Sequence, residues 1–302
     1  MNVIPLPASL DHRTLDQVLD AAAAAAVDGA RVLLDGRHVR WVDPNGLVGL
    51  LAAGTVLRDR AGVAPRFEMP EHPDVPGYMA RMGFFRAAEG ILELGQRPAR
   101  RGSGDSQVLL EITPIATNAH VHDVVERVQS SAETILSRTL RYPLSAVVQF
   151  SVILSEVCQN ILEHADAPGW VAAQSYNWQK RLGRHVLILA VADLGRGFRG
   201  SLAPEHSARF GDRWGDATAL EAAFIHGLTR FPDSHRGQGI QQIRKQVRRW
   251  EGAISIRSGT ARIADVPAWD DAPPLQEGLA PFPGAQIYIL LPGRTPAVEG
   301  AE

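Results

Sequence analysis

Short apolar segments alternate with longer ones over the first 95 residues of the chain. The short segments predict strands at 3–7, 31–35 and 65–69. The longer segments predict helices at 11–29, 47–60 and 78–85. Pro5 and Pro7 favour an edge position for the first strand, because proline cannot donate to a sheet ladder. The alternation predicts a small α/β domain over residues 1–95.

A polar stretch with proline and glycine, residues 96–106, predicts a linker. Beyond it the apolar pattern predicts strands at 109–112, 170–176, 185–191, 253–257 and 286–291. Helices are predicted at 120–140, at 144–165 and from Gln238 to Trp250. Residues 107–296 are therefore expected to form a second α/β domain, in which 198–236 show no strand periodicity. Within that stretch, 216–227 has a cap and a terminal glycine and predicts a short helix.

Composition narrows the classes of partner. The formal charge of −2 over 302 residues provides no basic field for nucleic acid or an anionic membrane. The single cysteine, Cys158, excludes an intrachain disulfide framework and a cysteine-based zinc site. The first residues lack a signal-peptide pattern, and the small-residue run 21–27 is too short to span a bilayer. We therefore expect a cytoplasmic protein.

The helix predicted at 144–165 is apolar almost all round, which is typical of a buried helix. Glu156, Asn160 and His164 are spaced by four residues and so share one face. Buried carboxylates and carboxamides need partners, and a hydrated Mg²⁺ is a suitable one. Glu156 is then a candidate general base or water-orienting group. The spacing also fits a helix that lines a polar surface between domains.

A second candidate motif follows the strand predicted at 185–191. Asp193 can accept a hydrogen bond from the exocyclic amine of adenine, and Gly195 and Gly197 allow close backbone approach. A plain turn at a strand end is the alternative. Gly195, Gly197 and Gly200 also match the dinucleotide fingerprint, but that fingerprint requires a helix within the glycines and a second strand. Pro204 and polar residues follow instead, so we reject it.

A third motif is the glycine turn that leads into the helix predicted from Gln238. Its residues are Arg236, Gly237, Gln238, Gly239 and Ile240. Free backbone N–H groups at a helix start suit phosphate. Arg230, His235 and Arg236 flank the turn and could add positive charge, although solvated loop residues would look the same.

Taken in order, the three motifs resemble the N, G1 and G2 boxes of the GHKL (Bergerat-fold) ATP-binding superfamily, most closely its anti-sigma-factor-kinase branch. The resemblance covers about 190 residues. It implies an α/β two-layer sandwich with a long ATP lid at 198–236. Ala285 replaces the threonine that usually follows a glycine in the last strand, so one contact on the adenine side is absent.

The resemblance implies a role for each matching residue. Glu156 would be catalytic, Asn160 would bind Mg²⁺, and Asp193 would bind adenine with Gly195 and Gly197. Arg236, Gly237, Gln238, Gly239 and Ile240 would surround the phosphates of ATP.

The first 95 residues resemble the STAS, or anti-anti-sigma-factor, fold through the turn of Val42, Asp43, Pro44, Asn45 and Gly46 before an apolar helix. In that family a serine precedes the glycine and accepts phosphate. Asn45 stands there in this chain and cannot form a phosphate ester. The alternative is an unrelated small α/β domain.

Together the resemblances imply a regulatory ATP- and Mg²⁺-binding protein of the partner-switching kind, with a protein partner and with serine-kinase or ATPase activity open. One alternative is an ATPase whose lid closure drives homodimerisation or client handling. Another is a scaffold that binds nucleotide without turnover. His122 suggests a sensor histidine kinase, but the 33 residues between His122 and Glu156 are too few for a phosphoacceptor hairpin.

Overall fold

In the computed structural model, the chain is described over residues 1–95, 108–165, 167, 169–230 and 239–294. For residues 130–132, 164 and 165 only the backbone is described. The described chain is mixed α/β, with a four-stranded parallel sheet, a two-stranded parallel sheet and a large antiparallel sheet. The linker predicted at 96–106 lies outside the described residues.

The N-terminal unit has a parallel sheet in the order β1-β3-β5-β6, with a short β2–β4 pair beside it. Its strands are β1 (Asn2–Pro5), β2 (Ser9–Leu10), β3 (Val32–Asp35), β4 (Trp41–Val42), β5 (Arg66–Glu68) and β6 (Glu93–Leu94). Its helices are α1 (Leu15–Ala25), α2 (Pro44–Ala61), α3 (Asp74–Arg81) and α4 (Phe84–Ala87). The first strand lies at the sheet edge, as its prolines predict.

The sequence around α2 explains where this helix begins and ends. Asp43 caps it by accepting a hydrogen bond from the Gly46 N–H at 2.8 Å, and Pro44 occupies the first turn. Gly62 ends it in the left-handed conformation with φ of 68°. Every residue from 44 to 57 is buried, so α2 is enclosed on all sides up to its last turn.

The second unit is built on a seven-stranded sheet in the order β12-β11-β10-β13-β9-β8-β7, and its described pairings are antiparallel. Its strands are β7 (Val108–Ile115), β8 (Gly169–Trp178), β9 (Arg184–Asp193), β10 (Ala253–Gly259), β11 (Ala261–Asp265), β12 (Leu275–Gln276) and β13 (Phe282–Pro292). Its helices are α5 (Asn118–Ala132), α6 (Leu144–Asn160), α7 (Gln179–Leu182), α8 (Gly197–Phe210), α9 (Asp216–Phe224) and α10 (Gly239–Arg249). Two π-helical segments, Glu133–Thr139 and Ile161–Ala165, and the 3₁₀ turn Gly211–Arg213 complete it.

One face of this sheet carries helices and the other carries the N-terminal unit. Val171 and Leu189 pack with α5, α6, α9 and α10 in one core cluster. Their neighbours Ala172 and Ala190 pack instead in a second cluster with α2. A sandwich of one sheet and one helical layer was expected for the second unit. The N-terminal unit adds a further layer on the other face of that sheet. Because both faces of β9 are buried, its sequence is a continuous apolar run without alternation.

Two local expectations are wrong. Residues 198–236 were expected to contain one short helix, but α8 fills 197–210 in spite of Pro204, before the correctly expected α9. Helix α6 was expected to be buried all round, yet Leu144, Val148 and Val152 are 63%, 66% and 54% exposed. Their four-residue spacing puts them on the stripe of α6 that faces away from the sheet.

Among the described helices, one segment, Leu144–Glu163, is long and apolar enough to cross a membrane by length and composition. The core helix of a soluble protein passes the same test, and Phe150, Leu154 and Val157 of this segment are fully buried in the fold.

Candidate functional site

One cleft on the helical face brings together five of the seven predicted site residues that the structure describes. It lies between the end of α6, the start of α10, β9, β13 and α8. The predicted residues that line it are Asn160, Asp193, Gly197, Gly239 and Ile240, together with Ala285. Residues far apart in sequence therefore lie together in one cleft.

Asn160 is the last residue of α6, where the helix changes to a π-helical turn. Such changes of helical geometry are frequent at functional sites. Its Nδ2 atom is buried and has no hydrogen-bond partner among the residues that the structure describes. An unpartnered buried amide is costly, so Asn160 fits a ligand in the cleft. The side chain of His164, expected on the same face, lies outside the description.

Glu156 stands one turn before Asn160, at the exposed rim of the cleft rather than in the core. Its carboxylate borders the start of α10, since a Cβ atom added at Gly239 would collide with the Glu156 Oε2 atom. Partial burial raises the pKa of the Glu156 carboxyl, and the nearby Glu163 carboxylate adds to the increase. Glu156 therefore has the position and the raised proton affinity of a candidate general base.

Asp193 ends β9 and is 8% exposed. One carboxylate oxygen accepts a hydrogen bond from the Gly195 N–H at 2.9 Å. Burial raises the pKa of Asp193 to about 6, while the backbone N–H groups of Gly195 and Ala285 hold it lower than burial alone would. The carboxylate is thus ionised at neutral pH and remains able to accept a further hydrogen bond from a ligand.

The glycines around Asp193 have different roles. Gly195 does not line the cleft, because its N–H binds the Asp193 carboxylate and its carbonyl accepts from the Gly284 N–H at 2.9 Å. Gly284 has φ of 73°, and a Cβ atom there would collide with the Asp193 carbonyl. Gly197 lines the cleft with φ of 64°. These close backbone contacts fix the strand end that carries the carboxylate.

Helix α8 supplies cleft residues that the sequence interpretation missed. Phe198, Ser201 and Leu202 all line the cleft. Their spacing of three and four residues is a helical signal that could have identified them. Ser258 on β10 anchors this helix, since its hydroxyl oxygen accepts from the Phe198 N–H at 3.0 Å and donates to the Gly284 carbonyl at 2.9 Å.

The dinucleotide fingerprint at Gly195, Gly197 and Gly200 was rejected because a helix and a second strand were expected to be absent. Of these two reasons, only the missing strand remains. A helix does open within its glycines, at Gly197, contrary to expectation. However, β9 pairs with antiparallel neighbours, β8 and β13. The parallel strand–helix–strand unit that a dinucleotide site needs is therefore not formed by this strand.

The phosphate turn is described only in part. Gly239 and Ile240 begin α10 and line the cleft. His235, Arg236, Gly237 and Gln238 lie outside the described residues. Arg230 lines the cleft and donates a hydrogen bond from its Nη1 atom to the Glu163 carbonyl at 3.3 Å.

The cleft is narrow in this conformation. It encloses about 60 Å³, which is room for a few water molecules. Typical small-molecule pockets enclose roughly 300–1,000 Å³. In this conformation the cleft is therefore too small for a ligand of nucleotide size.

Asn45 of the N-terminal unit lies on the opposite face of the sheet from this cleft. It is 4% exposed and borders a small cavity with Arg257 and Gln286. The turn at Asn45, which was predicted not to accept phosphate, is therefore also closed off by the second unit of the same chain.

Comparison with known proteins adds no relative. No protein-family model, curated protein or solved structure matches the chain.

Proposed function

We propose that this chain is a regulatory ATP- and Mg²⁺-binding protein of the partner-switching kind. Its second unit would be a GHKL-type nucleotide-binding domain and its first a STAS-like module. The observation that carries this proposal is the presence in one apolar cleft of a buried carboxylate, Asp193, and of the Asn160 amide, whose buried Nδ2 atom has no partner among the described residues.

The chemistry of the lining supports a purine. Val157, Ile161, Val191 and Ile287 provide apolar surface for a planar ring. Asp193 accepts the hydrogen bond of an exocyclic amine, which favours adenine over a base with a carbonyl at that position. The Ala285 methyl group provides no hydroxyl on this side, so recognition of the base depends chiefly on Asp193.

The part of the cleft that contains Asn160 and Gly239 suits a metal ion with its bound phosphate. The Asn160 carboxamide oxygen would ligate Mg²⁺, which keeps several waters and needs few protein ligands. The N–H groups at the start of α10 would bind phosphate. Bound Mg²⁺ would stabilise negative charge on the phosphates. Glu156, beside Gly239, would accept the proton of an attacking water or hydroxyl group.

The position of the N-terminal unit limits its role. Helix α2 and the turn at Asn45 are buried against the sheet of the second unit. We therefore propose that the protein partner is a separate chain, and that the STAS-like unit is a fixed part of the regulator rather than its substrate.

Labelled ATP tests the proposal. The full chain is incubated with γ-labelled ATP, alone and with candidate partner proteins, beside a Glu156→Ala variant. Label on a serine of a partner supports a kinase, and free phosphate supports an ATPase. Binding without either product, unchanged in Glu156→Ala, would indicate a scaffold. Absence of ATP binding at millimolar concentration would refute the proposal.

A further inference from the structure

We call the cleft that contains Asn160 and Asp193 the nucleotide cleft. A second, wider cleft lies at the opposite ends of the helices and strands that form it. Helix α6 begins at it and α10 ends at it, while β9 begins at it and β13 ends at it. It encloses about 730 Å³, within the range of roughly 300–1,000 Å³ of small-molecule pockets. We call it the arginine cleft, defined by Arg141, Arg184, Arg249 and Arg294.

The charge of the arginine cleft is opposite to that of the chain. Four guanidinium groups line it, with Glu251 as the acidic residue of the lining. The lining therefore has an excess of three positive charges, whereas the whole chain has a net charge of −2. The positive charge of this cleft is therefore a local property and not a consequence of a basic chain. A local positive field attracts anions.

The arginines differ in their bonding. Arg184 is 19% exposed, lies 3.7 Å from the Glu251 carboxylate and donates to the Gly293 carbonyl at 3.4 Å. Arg141, Arg249 and Arg294 are exposed and form no side-chain hydrogen bond or ion pair with any described residue. Three guanidinium groups are thus free to bind a ligand, and their planar donor pairs match phosphate and carboxylate oxygens.

The floor of the arginine cleft is rigid. The rings of Tyr142 and Trp250 lie 5.3 Å apart, and the Tyr142 hydroxyl donates to the Pro292 carbonyl at 2.7 Å. Arg141 and Glu251 adopt left-handed backbone conformations, with φ of 60° and 55°. They are the described non-glycine residues that do so, and such strain occurs chiefly where the surrounding structure requires it.

We propose that the arginine cleft binds a small anion with two or more phosphate or carboxylate groups. Its volume favours a small molecule over a long peptide, and its separated guanidinium groups favour more than one anionic group. Because the cleft shares α6, α10, β9 and β13 with the nucleotide cleft, its ligand could influence nucleotide binding. Binding of an anion in the arginine cleft does not require that the other cleft binds a nucleotide.

Titration calorimetry with inorganic pyrophosphate and with citrate, at constant ionic strength, tests the proposal. Quenching of tryptophan fluorescence, to which Trp250 contributes, gives a second readout. We expect saturable binding that weakens at least about tenfold in the double variant Arg249→Ala, Arg294→Ala. Arg60→Ala, an exposed arginine at the end of α2, is the matched control and should bind normally.

Each outcome supports or overturns the proposal. Stronger binding of pyrophosphate indicates a phosphorylated ligand, and stronger binding of citrate a polycarboxylate. Absence of saturable binding, equal loss in the Arg60→Ala control, or unchanged binding in the double variant would each overturn it. Loss of pyrophosphate binding in Gly239→Ala but not in the double variant would assign the anion to the nucleotide cleft and also overturn it. Binding of an acidic peptide but of neither small anion would do the same.

Discussion

The guanidinium group of Arg257 on β10 lies 2.6 Å from the carboxylate of Asp20 on α1. The same group lies 2.9 Å from Asp16, and only 3% of the Arg257 side chain is exposed. Asp16 also contacts Arg262 at 2.7 Å. This ion-pair network connects the first helix of the N-terminal unit to the sheet of the second unit, beside their shared apolar core.

Removal of Arg257 should destabilise the whole chain. Arg257→Ala removes the buried ion-pair partner of Asp20 and leaves Asp16 paired with Arg262 alone, and we expect a loss of about 3 kcal/mol in the free energy of unfolding. Arg86→Ala is the control, because its ion pair with Glu111 is exposed and should contribute no more than about 1 kcal/mol. Urea denaturation followed by circular dichroism measures both. Equal losses would mean that the network contributes no more than a surface pair.

ATP affinity should rise with pH around the pKa of Asp193. Since this pKa is about 6, the carboxyl is mostly protonated at pH 5 and mostly ionised at pH 7. Under the proposed function the ionised form would accept the adenine amine, so affinity should increase about tenfold over that interval. Asp193→Asn should weaken binding at pH 7 by about 10–100-fold and lose this part of the pH dependence. Calorimetry at both pH values tests it, and an equal rise in the variant would assign the titration to another group.

Magnesium dependence should disappear when the Asn160 amide is removed. Asn160→Ala should bind ATP with similar affinity with and without Mg²⁺, because the metal loses its protein ligand. Gln159→Ala is a neighbouring control, since Gln159 instead donates to the Glu163 carboxylate at 3.0 Å. Nucleotide titrations with Mg²⁺ or EDTA measure the effect. Persistent dependence in Asn160→Ala would place the metal elsewhere.

A methyl group at Gly239 should damage the site without unfolding the chain. The added Cβ atom would meet the Glu156 carboxylate, the end of a flexible side chain that can move aside, and the methyl group would then fill space in the cleft at the start of α10. We expect ATP binding to weaken about tenfold or more. Gly215→Ala is the control, because nothing lies within 4 Å of its added Cβ atom. Wild-type affinity in Gly239→Ala would contradict the role assigned to the start of α10.

The stability of the fold should fall as pH rises because of Asp43. Burial raises the pKa of this carboxyl to about 8, from an ordinary value of 3.8. The folded chain therefore keeps a proton that the unfolded chain releases, and this stabilisation, complete below pH 3.8, is lost progressively as pH rises from 3.8 to about 8. Asp43→Asn retains an oxygen that can accept from the Gly46 N–H but does not titrate.

Urea denaturation at pH 5 and pH 8 compares the two proteins. We expect the wild type to lose more stability than Asp43→Asn between these values. The lowered pKa of His12, about 4 because of its burial, gives an opposite slope below pH 6.5 but is present in both proteins. Identical slopes in the two proteins would show that Asp43 is ionised in the fold at low pH.

Much of the second unit could be predicted from local pattern. The helix that contains Glu156 and Asn160 and the strand that ends at Asp193 have strong apolar periodicity, and both occur as expected. Helix α8 was missed because Pro204 was interpreted as a breaker, whereas proline is tolerated in this helix. Strand β11 was missed because five residues, Ala261–Asp265, give too little alternation to separate a strand from a turn.

Local sequence specifies the residue types of the nucleotide motifs and the helices and strands that contain them, because periodicity and capping act over a few residues. Convergence in space depends on long-range pairing. The antiparallel pairing of β9 with β13 brings Asp193 beside Ala285, and brings Arg184 and Arg294 to the opposite end. The burial of Asn45 likewise follows from packing of the N-terminal unit on the sheet. Neither arrangement has a local signal, since each depends on contacts between residues more than 90 positions apart.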